Sequence, residues 1–216
     1  MLINKNSLTS QIYKEIKNNI LTNKLKLGAE ISINEIAMKY KVSYTPAREA
    51  IKSLIKDGLV IGATNKVHKI VNPTGKELFE FMEIRKMCEC YAVKKIIENL
   101  GQNEIKNIEN QITILKFLEK NKVNTIRDFY LTDIDFHLNL VKSSNNLKLL
   151  EIYKKISNIV NIMIYKIDDR KEIVDVFFKQ HFEILETILN KNSLEANKKL
   201  THHIEYSFKY YQDNYL

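Results

Sequence analysis

Asp133 and His137 stand four residues apart, a spacing that puts both side chains on one helical face. His181 and His203 follow on two later stretches of helical periodicity, each able to point toward that face. Three imidazoles and a carboxylate are a donor set suited to a borderline divalent ion such as Zn²⁺, Ni²⁺ or Mn²⁺. The same Asp-x-x-x-His spacing also describes a surface pair that holds no ion, so on residue types alone both readings stand.

A second group lies near the start. Ser43, Tyr44 and Thr45 open a predicted helix, with Arg48 one turn further on and Pro46 tolerated in the first turn. Two hydroxyls at a positive helix N-terminus suit phosphate oxygens. Arg48 is the only arginine before Arg85. Its planar fork can hold guanine O6/N7 or clamp a phosphate; alternatively it pairs with Glu49 or Asp57 on a solvated surface.

The elements that must position these residues differ along the chain. Leu8, Ile12, Ile16 and Ile20 mark one face of a first helix. Ser32-Ile-Asn-Glu35 has the form of a capping box that opens a short helix to about Tyr40. Lys41-Val42-Ser43 turns into the third helix, whose Ala47, Ile51, Leu54 and Ile55 form a buried face and which Gly58 ends. Two short strands, 59–61 and 69–71, then bracket Thr64-Asn65-Lys66 as a hairpin tip. Helix, helix, turn, helix, hairpin is the order of a winged helix-turn-helix, in which the third helix enters the major groove of double-stranded DNA.

Both prolines and four of the five glycines precede residue 76, and only Gly101 lies beyond. Helices joined by Asn and Ser turns are therefore expected from Thr74 on: a long one through Leu78, Phe81, Met82, Arg85, Cys88, Glu89 and Ala92, then others near 103–120, 125–143, 147–167, 171–190 and 193–213. Phe81, Phe129, Phe136, Phe177, Phe182 and Tyr206 fall at core spacing. The fold class is mainly α, with a DNA-binding module at 1–72 and an all-helical bundle of six to seven helices at 76–216, hinged near Asn72–Gly75.

Charge divides the same way. Of the net charge of +8, residues 1–71 hold 12 basic against 5 acidic groups, and the rest of the chain is nearly balanced. A surplus confined to the first third is the footprint of a phosphate-neutralising module. No apolar leader or membrane-length stretch is present, and Cys88 and Cys90 are too close for a useful disulfide. A reduced, cytoplasmic protein with no membrane partner is expected.

At this point the residues resemble a known family. Leu8-Thr-Ser-Gln-Ile-Tyr, Leu27-Gly28, Ile33–Ala37 and Val42-Ser-Tyr-Thr-Pro-Ala-Arg-Glu-Ala-Ile51 are similar to the GntR family of bacterial regulators. The resemblance implies DNA contacts at Asn34, Ser43, Tyr44, Thr45 and Arg48, with the wing tip near Lys66. Tyr44 stands where the family usually has arginine, and Val67 where it has a wing glycine, so the operator is expected to differ from the common one.

Arg85-x-x-x-Glu89, Asp133-Ile-Asp-Phe-His137, Ser144-Asn-Asn146, Gln180-His181 and His203-Ile204 resemble the FCD ligand-binding domain of the FadR-type branch, over roughly 76–212. The branch's metal ligands match Asp133, His137, His181 and His203, with His202 a bystander and Asp135 out of phase. By the same resemblance the metal leaves positions open for a small carboxylate effector, and Arg85 is the candidate to pair with it; an ion pair with Glu89 or Glu83 is the competing reading. A homodimeric repressor or activator follows, switched by a small organic acid. The alternatives are a sensor of the metal itself and, more remotely, a metal-dependent hydrolase fused to a DNA-binding head. Against the last, the chain has no metalloprotease motif, nucleophile elbow or phosphate loop; no enzyme activity and no catalytic residue are expected.

Overall fold

The computed structural model describes residues 5–62, 67–120, 126–164 and 171–215, with side chains left out at 5–7, 126–131, 163–164, 171–173 and 215. The expected wing tip at Lys66 and the Phe129 side chain thus lie outside the described residues. The chain forms two compact units, Met1–Thr74 and Gly75–Leu216.

The first unit contains α1 (Lys5–Leu21), β1 (Glu30–Ile31), α2 (Ile33–Tyr40), α3 (Tyr44–Lys56), β2 (Val60–Ile61) and β3 (His68–Ile70). Ile12, Ile16 and Ile20 pack from α1 against Ala47, Ala50, Ile51 and Leu54 of α3, all buried. Each fully buried Ile or Leu contributes roughly 1.5–3 kcal/mol. Leu8, expected on the same face, is substantially exposed. Lys41 ends α2 in the left-handed region, at φ 52°, and its N–H and that of Val42 close onto the Met38 and Ala37 carbonyls. That closure compresses the connection to α3 into three residues.

Two local expectations need correction. Ser32 is the N-cap of α2 but makes no side-chain capping bond, so the capping box is not formed. The hairpin is also wider than expected. β1 joins it, giving the antiparallel order β1-β3-β2 with Glu30 opposite Lys69 and Val60 opposite Ile70. The cause is pairing at a distance: Gly28 N–H bonds to the Ile70 carbonyl and Ile70 N–H to that of Ala29, and Gly28 supplies the φ of +76° that this turn requires.

Among the described residues the second unit is built of helices: α4 (Gly75–Glu98), α5 (Gln102–Lys120), α6 (Ile126–Ser143), α7 (Leu147–Ile164), α8 (Lys171–Leu189) and α9 (Ser193–Tyr215). α4 is its axle, packing against α6, α7, α8 and α9. Asparagines shape the connections. Asn146 and Asn192 accept from the backbone N–H groups of Leu149 and Glu195 at the starts of α7 and α9. Asn145 and Lys191 take left-handed turns before them. Phe136, Phe177 and Phe178 are core, while Phe81, Phe182 and Tyr206 are half-buried. Cys88 and Cys90 are both free thiols, Cys88 buried. Among the described residues no helix is long and apolar enough to cross a membrane.

Candidate functional sites

Five helices bring polar and charged side chains into the core of the second unit. Asp133 and His137 come from α6, His181 from α8, His203 from α9, Arg85 and Glu89 from α4, and Tyr153 from α7. All are buried, with Arg85 only 3% exposed and Glu89 at 0%. The ligand-capable atoms of Asp133, His137, His181 and His203 all lie within 4.8 Å of one another.

The orientation of the imidazoles is set from behind. His137 Nδ1 lies 2.6 Å from Glu89 Oε2, and His203 Nδ1 lies 2.7 Å from Gln180 Oε1. Each partner oxygen is an acceptor, so each Nδ1 carries the hydrogen and each Nε2 presents a lone pair to the centre. The His181 ring instead stacks on Phe136, with centroids 3.8 Å apart and planes at 16°.

The three Nε2 atoms then converge. His203 Nε2 is 3.1 Å from that of His137 and 3.2 Å from that of His181. Asp133 Oδ1 lies 3.3 Å from His181 Nε2, 3.6 Å from His137 Nε2 and 4.0 Å from His203 Nε2. A single lone pair on His203 Nε2 faces two ring nitrogens, and one shared proton cannot satisfy all of them. A cation accepts every one of these lone pairs at once, and ligands about 2.0–2.2 Å from an ion stand about 3–4 Å from each other. The residues present therefore fit a divalent metal.

Electrostatics follow from this crowding. Burial pushes the Glu89 carboxyl up, but the charges of His137 and Arg85 and the hydrogen bonds from His137 and Tyr153 outweigh it and hold it at about 2. Asp133, likewise opposed by burial, is held well below the carboxylate range by His137 and His181. Burial and Arg85 lower His137, yet Glu89 and Asp133 reverse this and raise it. Burial depresses His181, and burial with the charges of its two imidazole neighbours depresses His203 further.

Arg85 Nε donates to Glu89 Oε1 at 2.8 Å, so the ion pair with Glu89 is present and Glu83 is not its partner. Arg85 Nη1 is nonetheless buried without a hydrogen-bond partner. Asp135 and His202 point to solvent. Sequence reasoning gave Glu89 only as a competing ion-pair partner of Arg85 and Gln180 only as part of a resembling motif, and it did not single out Tyr153. The available signal was Glu89 itself, a carboxylate within the apolar stripe of α4.

In the first unit Asn34, Ser43, Tyr44, Thr45 and Arg48 are all exposed. Ser43 is the N-cap of α3 but leaves its hydroxyl out of the cap. Arg48 Nη2 lies 3.5 Å from Glu49 Oε1 in a half-exposed pair, a contact easily exchanged for another anion.

Known proteins share both units. Residues 8–66 match the bacterial regulatory proteins of the gntR family, and residues 80–206, more than half of the chain, match the FCD domain. The HTH-type transcriptional regulator YdhC of Bacillus subtilis (strain 168) is 28% identical over 201 residues, covering 91% of this chain and 87% of that protein. The gluconate operon transcriptional repressor of Bacillus licheniformis is 26% identical over 189 residues, 83% of this chain and 70% of that one. E. coli McbR/YncC shares the fold at a TM-score of 0.78 and 19% identity, covering 97% of this chain and 99% of that one. With a helix-turn-helix unit followed by a helical FCD unit, the chain belongs to the GntR family of transcriptional regulators, in the branch that carries an FCD domain.

Proposed function

We propose that this regulator acts as a homodimer on a two-fold related DNA operator, and that a small organic acid, bound at a divalent metal in the helical unit, sets its occupancy. Asp133, His137, His181 and His203 hold the metal. The observation that carries this reading is the convergence of three Nε2 atoms, two with their lone pairs turned inward, on one carboxylate oxygen. A divalent ion there would supply a Lewis-acid centre for a carboxylate.

Arg85 supports an anionic effector. Its Nη1 has no partner among the described residues, and its charge is close enough to bear on all three imidazoles. Holding Glu89 through Nε leaves the rest of the guanidinium fork to face an incoming carboxylate. In the first unit, Ser43, Tyr44 and Thr45 at the α3 N-terminus bind phosphates, with Arg48 on a base edge and Asn34 and Lys66 flanking. Repression is favoured over activation, since the relative from Bacillus licheniformis is a repressor.

The test is an operator-shift assay on protein stripped with a chelator, reloaded with Zn²⁺, Ni²⁺ or Mn²⁺, and exposed to a panel of small mono- and dicarboxylates. The expected result is an acid that changes operator affinity only in the metal-loaded protein. A response to metal with no acid would make the ion itself the signal. Equal metal content in the double variant His181→Ala/His203→Ala, read by mass spectrometry, would remove the ligand assignment.

A further inference from the structure

The helical unit buries its charge in one place. Among its described residues, the buried side chains that are charged at neutral pH are Asp133, Glu89 and Arg85, all in the cluster around the imidazoles. Two carboxylates against one guanidinium leave that cluster one negative charge. Both carboxylates are already engaged. Glu89 takes Arg85 Nε, the Tyr153 hydroxyl and His137 Nδ1, and Asp133 Oδ1 faces the three imidazole Nε2 atoms. His137, His181 and His203 ligate a metal as neutral rings, and the Tyr153 phenol is neutral as well. A divalent ion among these ligands therefore turns one negative charge into one positive charge. It does so in a core where Asp133, Glu89, Arg85, Tyr153 and the three histidines are each at most 3% exposed.

Two needs are then unmet, and one group meets both. The first is the single uncompensated positive charge. The second is the hydrogen on Arg85 Nη1, buried without an acceptor among the described residues. We propose that the effector of this centre is a monoanion: one carboxylate on an otherwise uncharged body, hydroxyls allowed, with dicarboxylates, phosphate esters and amino acids excluded. One carboxylate brings the one negative charge required, and its second oxygen can accept from Arg85 Nη1. A further carboxylate or a phosphate ester would enter the core with no buried described cation left to meet it, and an unpaired buried charge is strongly disfavoured. An amino acid carries an ammonium with its carboxylate, so it leaves the positive charge uncompensated and adds a second buried cation. The selection is by charge and not by bulk, since lactate and malonate differ little in size.

This inference rests on the metal-and-acid reading above, and the experiment separates the two. Full-length protein is stripped with a chelator, reloaded with Zn²⁺ and titrated by calorimetry with the carboxylate panel arranged in matched sets: acetate against malonate, and lactate against tartronate and alanine. Protein-bound Zn²⁺ is measured after each titration, because diacids also extract metal. In each set the monoanion is expected to bind on the order of 100-fold more tightly. Glu89→Gln, kept saturated with Zn²⁺, raises the centre to two positive charges, and there the diacid should gain about tenfold or more on its monoacid partner. A preference for small ligands as such would not move with that change. Should Glu89→Gln fail to fold, the ranking in the unaltered protein decides alone. Diacids that bind the unaltered, Zn²⁺-loaded protein as tightly as monoacids overturn the charge rule and leave the metal-and-acid reading standing; so does a preference that stays fixed in folded Glu89→Gln. Zn²⁺ uptake with no acid bound overturns the acid reading, and absence of Zn²⁺ uptake overturns the metal reading, the charge rule falling with either.

Discussion

Glu89 Oε2 accepts the Nδ1 hydrogen of His137 at 2.6 Å, from a helix 48 residues earlier in the chain, and so turns the His137 Nε2 lone pair toward Asp133 and His203. The same carboxylate takes Arg85 Nε at 2.8 Å and the Tyr153 hydroxyl at 2.5 Å on its other oxygen. One side chain thus ties α4, α6 and α7 together and sets the tautomer of His137.

Glu89→Gln keeps an oxygen for His137 but removes the charge. Metal affinity is expected to fall about 10- to 100-fold, the usual cost of losing a partner behind a ligating histidine. It is measured by competition with a chromogenic chelator, with circular dichroism confirming the fold. Glu89→Ala should be far more damaging, since it strands the buried Arg85 charge, at about 3–5 kcal/mol of stability in denaturant titration. Unchanged metal affinity in Glu89→Gln would show that His137 does not depend on this bond.

Chelator-stripped protein should be most stable near the ordinary imidazole range and lose stability on either side. His181 and His203 are lowered, mainly by burial. Below about pH 6.5 the unfolded chain therefore takes up protons that the fold refuses, and stability falls with pH. His137 is raised, with Glu89 and Asp133 overcoming burial and Arg85. The stability from its proton is complete below about 6.5 and is lost as pH rises through its folded value. At lower pH still, protonating Glu89 and Asp133 removes the stability held in their depressed carboxyls. Metal displaces the His137 proton, so the stabilisation on reloading should grow with pH. Thermal melts of stripped and loaded protein across this range test the sign; stripped-protein stability that climbs steadily through pH 8 would contradict it.

Arg48→Ala should weaken operator binding by about 1–3 kcal/mol, roughly 5- to 150-fold, and relax preference at one base position. The fold should be untouched, because Arg48 is exposed and pairs with Glu49 on the same surface. Fluorescence anisotropy on operator and scrambled duplexes distinguishes base reading from phosphate clamping. Equal losses on both would assign Arg48 to the backbone, and no loss would remove it from the contact set.

How much of this was legible in the sequence depended on range. The i, i+4 pair Asp133/His137 is a local pattern, and periodicity alone put His181 and His203 on two further helices. Asn146 and Asn192 were readable as helix-start residues for the same reason. Glu89, Tyr153 and Gln180 were not, because their roles exist only where separate helices meet, and spacing along one helix carries no trace of a partner on another. β1 was missed on the same ground: two residues have no period, and their pairing comes from the distant Ile70. Ser32 shows the reverse failure, a correct local signature whose side-chain bond is absent. For Arg85 the ion-pair reading is the one observed, through Nε to Glu89, while Nη1 stays buried without a partner among the described residues.

Gly62 offers the last test, at the base of the wing. A Cβ built there would lie 2.7 Å from His68 Nδ1, 3.0 Å from His68 Cα and 3.2 Å from the Val67 carbonyl. Two of those atoms are backbone, so a methyl group cannot be accommodated by rotating a side chain, and β2 and β3 must part. His68 is buried, which leaves it little room to retreat. Gly62→Ala should therefore cost about 1–3 kcal/mol, the usual penalty of overpacking, and loosen the β2–β3 pairing beside the wing. Hydrogen exchange at the Ile70 amide, which bonds to the Ala29 carbonyl, reports whether the damage reaches β1. Faster exchange there with α1 to α3 unchanged is the expected pattern, and wild-type exchange with wild-type stability would show that the strands can open without cost.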